Sequence, residues 1–345
     1  EVEGRPKPSL SYSWWIVDDP TLVAAAPPRP AAPPVEGEAP FAVKGNGDGV
    51  LQPGERVLLS FAARNDGPGT SPDVRAILRN HSPQQGLLEE GAVSLGELRP
   101  GMGARGSFGI TVNETAAPEQ PFEVELMIGD AQVRARAGDE LRLRVLPDSP
   151  VFEAAAGSVR VEGEPLRVYD GAHASMPVVL ELPAGTEVGT IGQLGAWRVL
   201  DVTGQGRRLF VPADLGVAGA ALASKPKVDP LAGLEREPLV LPPGLVLDEL
   251  PRVVKDDHIR LRGTATHPRW VRDVAVLVRP PGVAQIERKV HYAANPASQG
   301  APAQSLRFEV DVPLEPGGNR ITVLVRDGRK VERTEDVWVF REKAG

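Results

Sequence analysis

Oxygen-bearing side chains in residues 45–55 are spaced as they are in calcium-binding loops. In the twelve-residue loop of an EF-hand, Asn46, Asp48 and Glu55 would occupy positions three, five and twelve, with a glycine at position six. Lys44 stands at position one, where the pattern requires a carboxylate, and its positive charge would repel calcium. The competing interpretation is a tight turn, in which glycines supply positive φ and the Asn and Asp side chains bond nearby backbone. We favour the tight turn and keep the three residues as candidate metal ligands.

A second group of candidate residues is aromatic. Aromatic residues make up only 5% of the sequence, yet Trp14 and Trp15 are adjacent in a segment rich in aromatic and β-branched residues. Successive strand residues face opposite sides, so at most one of the two lies in a given core. We favour an edge strand docked on a neighbouring domain over a partner-binding surface. Tyr169, Trp197 and Phe210 lie on short predicted strands, where they line either a core or an exposed groove for a peptide or glycan.

No residues in the sequence form a catalytic constellation. The five histidines contain no i, i+4 pair of the kind found in helical zinc sites. No Gly-x-Ser-x-Gly elbow occurs, and Ser60, Ser107 and Ser305 lie in predicted strands, where packing explains them. The lysines lie in linkers and exposed turns rather than beside a serine that they could activate. We therefore predict a non-enzymatic chain with no catalytic residues and no cofactor-binding residues.

Composition excludes several classes of protein. The 345 residues include no cysteine, which rules out disulfides, thiolate zinc sites and a cysteine nucleophile. The net charge of −7 argues against nucleic-acid binding, which needs a basic surface. No run of about 18 apolar residues is present to span a bilayer. Because the sequence begins at Glu1 without a signal peptide, we expect a removed leader or a piece of a longer chain.

Short strands, rather than helices, are the elements expected to position these residues. The 37 glycines and 35 prolines would break long helices. Residues 122–126 and 306–312 alternate apolar and charged side chains with the period of two expected of half-buried strands. We predict an all-β, multi-domain chain in which two immunoglobulin-like β-sandwiches flank a small SH3-like β-barrel. The predicted segments are an N-terminal strand and Pro-rich linker (1–40), a sandwich (41–147), the barrel (148–223), a second Pro-rich linker (224–243) and a sandwich (244–345).

Short motifs in the predicted barrel follow a recognisable order. Val168-Tyr169 is followed by LPAGT at residues 182–186, GAWRV at 195–199 and LFVPADL at 209–215. This order resembles a bacterial SH3-like domain, whose central strand carries a Trp and whose last strand ends in a short 3₁₀ turn.

Motifs in the two predicted sandwiches extend the resemblance. Residues 47–55 (GDGVLQPGE), 63–67 (ARNDG) and 95–101 (LGELRPG) are similar to a CARDB-type immunoglobulin-like domain. Residues 271–274, 289–292 and 313–326 are similar to a terminal β-sandwich. Together the modules resemble the non-catalytic C-terminal region of PDZ-containing tail-specific (carboxyl-terminal processing) serine proteases from myxobacteria and related deltaproteobacteria. The Ser/Lys dyad and PDZ domain of that family lie upstream of this region, so the resemblance carries no catalytic residue.

The resemblance implies a periplasmic or cell-envelope location and a role in recruiting or gating protein substrates or partners. A protease domain, or its substrate, would then be the partner. Two alternatives remain open. One is an envelope protein that binds peptidoglycan through the SH3-like domain, and the other is an adhesin-like structural protein stabilised by calcium.

Overall fold

The chain folds almost wholly into strands. A computed structural model describes residues 6–25, 41–118, 120–147, 150–201, 207–220, 240–282, 287–295, 303–328 and 331–343. Strands account for 59% of the structure and helix for 2%, which confirms the all-β prediction. Among the described residues, no helical segment has the length and apolar character needed to cross a membrane.

The first sandwich is made of two antiparallel sheets. Its strands are β1 (Leu10–Val17), β2 (Arg56–Asn65), β3 (Ser71–Asn80), β4 (Gly86–Leu88), β5 (Ala92–Leu98), β6 (Gly103–Val112), β7 (Phe122–Asp130) and β8 (Ala135–Leu143). One sheet has the order β1-β2-β6-β4 and the other β5-β3-β7-β8. Both sheets contribute to one core, in which Phe61 stacks on Phe108 at 5.5 Å between ring centroids. Phe122, Val124 and Leu126 are fully buried in it, as the alternation predicts.

Strand β1 is an integral part of the first sandwich. It pairs antiparallel with β2 over its whole length, from Leu10 opposite Asn65 to Val17 opposite Leu58. The chain therefore contains the docked strand that the sequence favours.

The segment after β1 differs from the extended spacer that its composition predicts. Pro20–Ala25 forms a short 3₁₀ helix. Asp19 starts this helix because its Oδ1 accepts bonds from the Thr21 N–H (2.8 Å) and hydroxyl (2.7 Å), and proline is well suited to a first helical position. The remaining residues of the predicted spacer, 26–40, lie outside the described residues.

The middle sheet lies between the two sandwiches in sequence. Its strands are β9 (Phe152–Arg160), β10 (Leu166–Tyr169), β11 (Val178–Leu182), β12 (Glu187–Leu194), β13 (Trp197–Leu200), β14 (Phe210–Pro212) and β15 (Val217–Gly219). They form one sheet in the order β11-β10-β14-β13-β12-β9-β15. Strands β10 to β14 correspond to the five predicted strands, whereas β9 and β15 are additional. These two extend the sheet beyond β12, and the described strands do not close into the predicted barrel.

The last sandwich again consists of two sheets. Its strands are β16 (Gly244–Leu247), β17 (Val253–Val254), β18 (His258–Thr266), β19 (Val271–Arg279), β20 (Arg288–Ala294), β21 (Ser305–Pro313), β22 (Gly317–Asp327) and β23 (Glu332–Arg341). Their orders are β16-β18-β21 and β17-β23-β22-β19-β20, and they share a core of aliphatic residues and Phe308. The predicted linker before this sandwich is described only from Val240, which exchanges backbone hydrogen bonds with Tyr12 of β1 at 3.0 and 3.1 Å.

Candidate functional site

Residues 45–55 form a compact turn closed by a backbone bridge. Lys44 and Arg56 exchange N–H···O bonds of 2.8 and 2.9 Å across its base. Inside the turn, Gly47 and Gly49 have φ of 80° and 71°, a conformation that glycine adopts without strain. Positive φ at these positions is what the tight-turn interpretation requires.

The candidate ligands Asn46, Asp48 and Glu55 converge, and they are held by N–H donors of the turn itself. The Asp48 N–H donates to Asn46 Oδ1 at 2.9 Å, and the Val50 N–H donates to Asp48 Oδ1 at 2.8 Å. Gln52 donates its backbone N–H to Glu55 Oε2 at 2.9 Å and its Nε2 to Asp48 Oδ2 at 2.6 Å. The turn thus solvates its carboxylates with its own amides.

A third carboxylate reaches the turn from the residue that follows β1. Asp18 Oδ2 accepts N–H bonds from Asp48 at 2.9 Å and Gly49 at 3.0 Å. The two carboxyls are close enough that, besides burial, the charge of Asp48 raises the pKa of Asp18. Asp18, Asp48 and Glu55, hereafter the acid cluster, are 3%, 1% and 7% exposed. Sequence analysis missed Asp18 because no local spacing connects it to the turn.

Burial favours the protonated forms of the acid cluster. It raises the pKa of Asp18 well above its usual range, and the charges of Asp48 and Glu55 raise that pKa further. Burial also raises the pKa of Asp48, although hydrogen bonds from Asn46 and Gln52 oppose the effect. The pKa of Glu55 rises to about 8, chiefly because of burial. All three carboxyls therefore have a raised pKa in the folded chain, and their titrations influence one another.

The acid cluster bears on the predicted metal site without deciding it. The EF-hand pattern requires a carboxylate at the first loop position, where this chain has Lys44. Asp18 supplies a carboxylate to the loop from outside it. However, in the part of the chain that the structure describes, no group of three or more Asp, Glu or His side chains is arranged to hold a metal ion. Calcium binding by Asn46, Asp48 and Glu55 stays a prediction.

The same turn is the surface on which the middle sheet docks. The Ala172 N–H donates to the Asp48 carbonyl at 2.7 Å, and Met176 packs into the core of the first sandwich. A Cβ on Gly49 would lie 2.6 Å from the Asp170 carbonyl oxygen, so only glycine allows this approach. We call the turn, the acid cluster and the middle-sheet residues that contact them the joint.

Two neighbouring arginines complete the joint. Arg207 forms a buried ion pair with Asp170 at 3.1 Å, with side-chain exposures of 8% and 1%, and its guanidinium lies 5.4 Å from the centroid of the Trp15 ring. Burial raises the pKa of Asp170 to about 6, while the charge of Arg207 acts to lower it. Arg208 pairs with Asp19 at 2.5 Å. Both arginines therefore connect the middle sheet to β1 or to the residues that follow it.

The aromatic candidates separate into buried and half-buried residues. Trp14 packs in the main core of the first sandwich and Trp15 in a smaller cluster on its outer face, so neither presents the partner-binding surface considered from the sequence. Phe210 is fully buried, which also removes it from an exposed groove. Tyr169 and Trp197 are half-buried and meet edge to face at 5.2 Å.

Comparison with known proteins gives little further guidance. No protein-family model matches the sequence, and no curated protein matches it.

One solved structure aligns with nearly the whole chain at low similarity. Dimeric latent PorU from Porphyromonas gingivalis aligns with 98% of this chain and 34% of its own chain, at 11% identity and a TM-score of 0.21. The present chain thus spans about a third of the length of that protein. A similarity of this degree supports no argument about fold or function.

Proposed function

We propose that the chain is a non-catalytic interaction and scaffold module of the periplasm or cell envelope. In this proposal the two sandwiches are immunoglobulin-like, the first of the CARDB type, and the middle sheet is an SH3-like domain. The module would act as the accessory region of a tail-specific protease does, recruiting or gating a protease domain or its protein substrates.

The joint is the observation that supports a scaffold. A scaffold has to hold separate binding surfaces at fixed positions, and here the middle sheet meets the first sandwich through buried polar contacts. Arg208 of the middle sheet pairs with the buried Asp19 at 2.5 Å, and the Ala172 N–H donates to the Asp48 carbonyl at 2.7 Å. These contacts cross from one module to the other and favour one relative orientation of the two.

The test uses the purified chain and a labelled unfolded protein. Fluorescein-labelled casein should bind, seen as a rise in fluorescence anisotropy, and should remain uncleaved on a gel. Cleavage of casein that a single Ser or Asp substitution abolishes would refute the non-catalytic proposal. A flat anisotropy titration would refute substrate recruitment.

A second candidate function is peptidoglycan binding by the middle sheet. The half-buried, edge-to-face pair of Tyr169 and Trp197 favours it, because Tyr and Trp offer a partner both apolar ring surface and a polar group. The chain should then sediment with purified peptidoglycan, and Trp197→Ala should release it. Trp338→Ala is the matched control, since Trp338 is also half-buried but lies in the last sandwich. Equal sedimentation of both variants and the parent would argue against this function.

A third candidate is calcium stabilisation through Asn46, Asp48 and Glu55. The convergence of Asp18 on these residues supports it, because a bound cation would replace the protons that burial retains. Calcium should then raise the melting temperature relative to chelator, and Asp48→Asn should remove the increase. An identical melting temperature in calcium and in chelator would refute calcium stabilisation.

A further inference from the structure

The segment 6–25 contacts all three modules of the chain. Its centre is β1, which belongs to the first sandwich, while its two ends reach the other modules. We call residues 6–25 the clasp.

The start of the clasp is tied to the last sandwich by a charge cluster. Lys7 Nζ lies 2.9 Å from Asp336 Oδ2, with side-chain exposures of 21% and 8%. Asp336 also accepts hydrogen bonds from Arg320 at 2.7 Å and from Thr322 at 2.8 Å. Burial alone would raise the pKa of Asp336, but the bonds from Lys7, Thr322 and Arg320 together lower it. Lys7 is therefore an integral partner of a largely buried carboxylate on β23, whose other donors lie on β22.

The next residues of the clasp lie against a glycine cradle between β2 and β3. The Gly69 N–H donates to the Lys7 carbonyl at 3.1 Å, and the Asp66 N–H donates to the Ser9 carbonyl at 2.8 Å. The Ser9 N–H donates in turn to the buried side chain of Asn65 at 3.1 Å. A Cβ on Gly69 would collide with the clasp backbone. The cradle is thus shaped to receive an extended chain.

The centre of the clasp has backbone partners on both strand edges. One edge pairs with β2 over eight residues, and the other exchanges backbone hydrogen bonds with Val240, which leads into the last sandwich. Both faces are also covered, since Tyr12 and Trp14 lie in the main core and Trp15 contacts the outer cluster.

The end of the clasp is tied to the middle sheet. Asp19 pairs with Arg208, Trp15 lies under Arg207, and Asp18 enters the acid cluster on which Ala172 docks. One extended segment thus helps to attach the first sandwich both to the middle sheet and to the last sandwich.

We propose that β2, with the glycine cradle at one end and the joint at the other, is a strand-acceptor site, and that its occupant, the clasp of the same chain, couples the flanking modules. Docking of the clasp fixes the middle sheet and the last sandwich onto the first sandwich together. Its release loosens both attachments while the remaining sheets stay folded. This inference concerns the coupling between modules and does not depend on the proposed binding partners.

The absence of cysteine from the sequence allows a direct test in the full chain. Ser13 and Ala62 are opposite each other in the β1–β2 register and are half-buried, so Ser13→Cys with Ala62→Cys places one disulfide across the acceptor site. A protease recognition sequence substituted within residues 26–40 then separates the clasp from the rest of the chain without breaking that disulfide. The uncut parent chain and the cut single-cysteine variant Ser13→Cys are the controls.

Scattering and circular dichroism are measured on the cut protein during a urea titration below the unfolding midpoint. The reduced protein should release the clasp and increase its radius of gyration, with most of the strand signal retained. The oxidised protein should stay compact over the same range. The proposal would be overturned if the clasp is released without a change in the radius of gyration, or if the reduced and oxidised proteins expand equally. Loss of the strand signal on release of the clasp would also overturn it. A disulfide that links two chains would assign the acceptor site to a second copy and overturn it as well.

Discussion

Replacing Glu55 with glutamine should flatten the dependence of stability on pH. Burial raises the pKa of Glu55 from 4.5 to about 8, so the folded chain keeps a proton that the unfolded chain loses. The stabilising contribution of the protonated carboxyl is fully present below the unfolded pKa. It is lost as the pH rises towards about 8. Glutamine keeps an acceptor for the Gln52 N–H and carries no titratable group.

The size of the effect follows from the width of this pH window. Each pH unit between the unfolded and folded pKa lowers the free energy of unfolding by about 1.4 kcal/mol for one group. The window spans about 3.5 units, so the parent chain should lose about 5 kcal/mol through Glu55. Asp18 and Asp48 add losses of the same sign, because burial raises the pKa of both. Glu55→Gln should therefore reduce the slope without removing it.

Urea titrations at a series of pH values between about 5 and 9 measure this slope through the free energy of unfolding. Glu114→Gln is the control, because Glu114 is exposed in the same sandwich and its replacement should leave the slope unchanged. At pH 9 the Glu55→Gln chain should be more stable than the parent by roughly 4–5 kcal/mol. If Glu55→Gln and the parent show the same slope, the assignment of a buried, protonated Glu55 is wrong.

Three further substitutions test the joint and the first sandwich through the free energy of unfolding. Arg207→Met should lower the free energy of unfolding by roughly 3–5 kcal/mol, because it leaves Asp170 buried and unpaired. Adding Asp170→Asn should recover much of that loss. A loss below about 1 kcal/mol would show that the pair is solvated. Gly49→Ala should cost more than Gly101→Ala, because both glycines have positive φ but only Gly49 meets backbone of the middle sheet; equal costs would mean that the contact relaxes freely. Asn65→Ala should cost about 2–4 kcal/mol, because the buried Asn65 side chain bonds four backbone groups; a change in the denaturation midpoint too small to measure would contradict that role.

Local sequence patterns account for most of the strands. Alternation in residues 122–126 and 306–312 places apolar side chains inward, and the structure buries Phe122 and Phe308 accordingly. Strand β9 was not predicted, because its residues 153–156 are Glu-Ala-Ala-Ala and show neither alternation nor β-branched side chains. In the structure these four residues are exposed. Such a strand forms because neighbouring strands pair with it, which no local pattern records.

The joint was only half visible in the sequence. The glycines and acids of residues 45–55 were identified, since their spacing is local. Asp18, Asp170 and the two arginines were not, because their approach depends on how β1 and the middle sheet pack against the turn. Tertiary contacts of this kind bring together groups whose sequence separation carries no signal. Here they turn an acidic loop that would otherwise be solvated into a buried one whose carboxyls have raised pKa values.

The clasp has a consequence for the order in which the chain folds. Its residues come early in the sequence, whereas Val240 and Asp336, which hold its free edge and its start, come near the end. During vectorial synthesis or export β1 can pair with β2 early, but its second edge and the start of the clasp must wait for their last partners to emerge. Contacts so distant in sequence form slowly, and a strand edge left open meanwhile invites pairing with other chains. We expect assembly to finish with the attachment of the clasp to the last sandwich, and aggregation to compete mainly before that step.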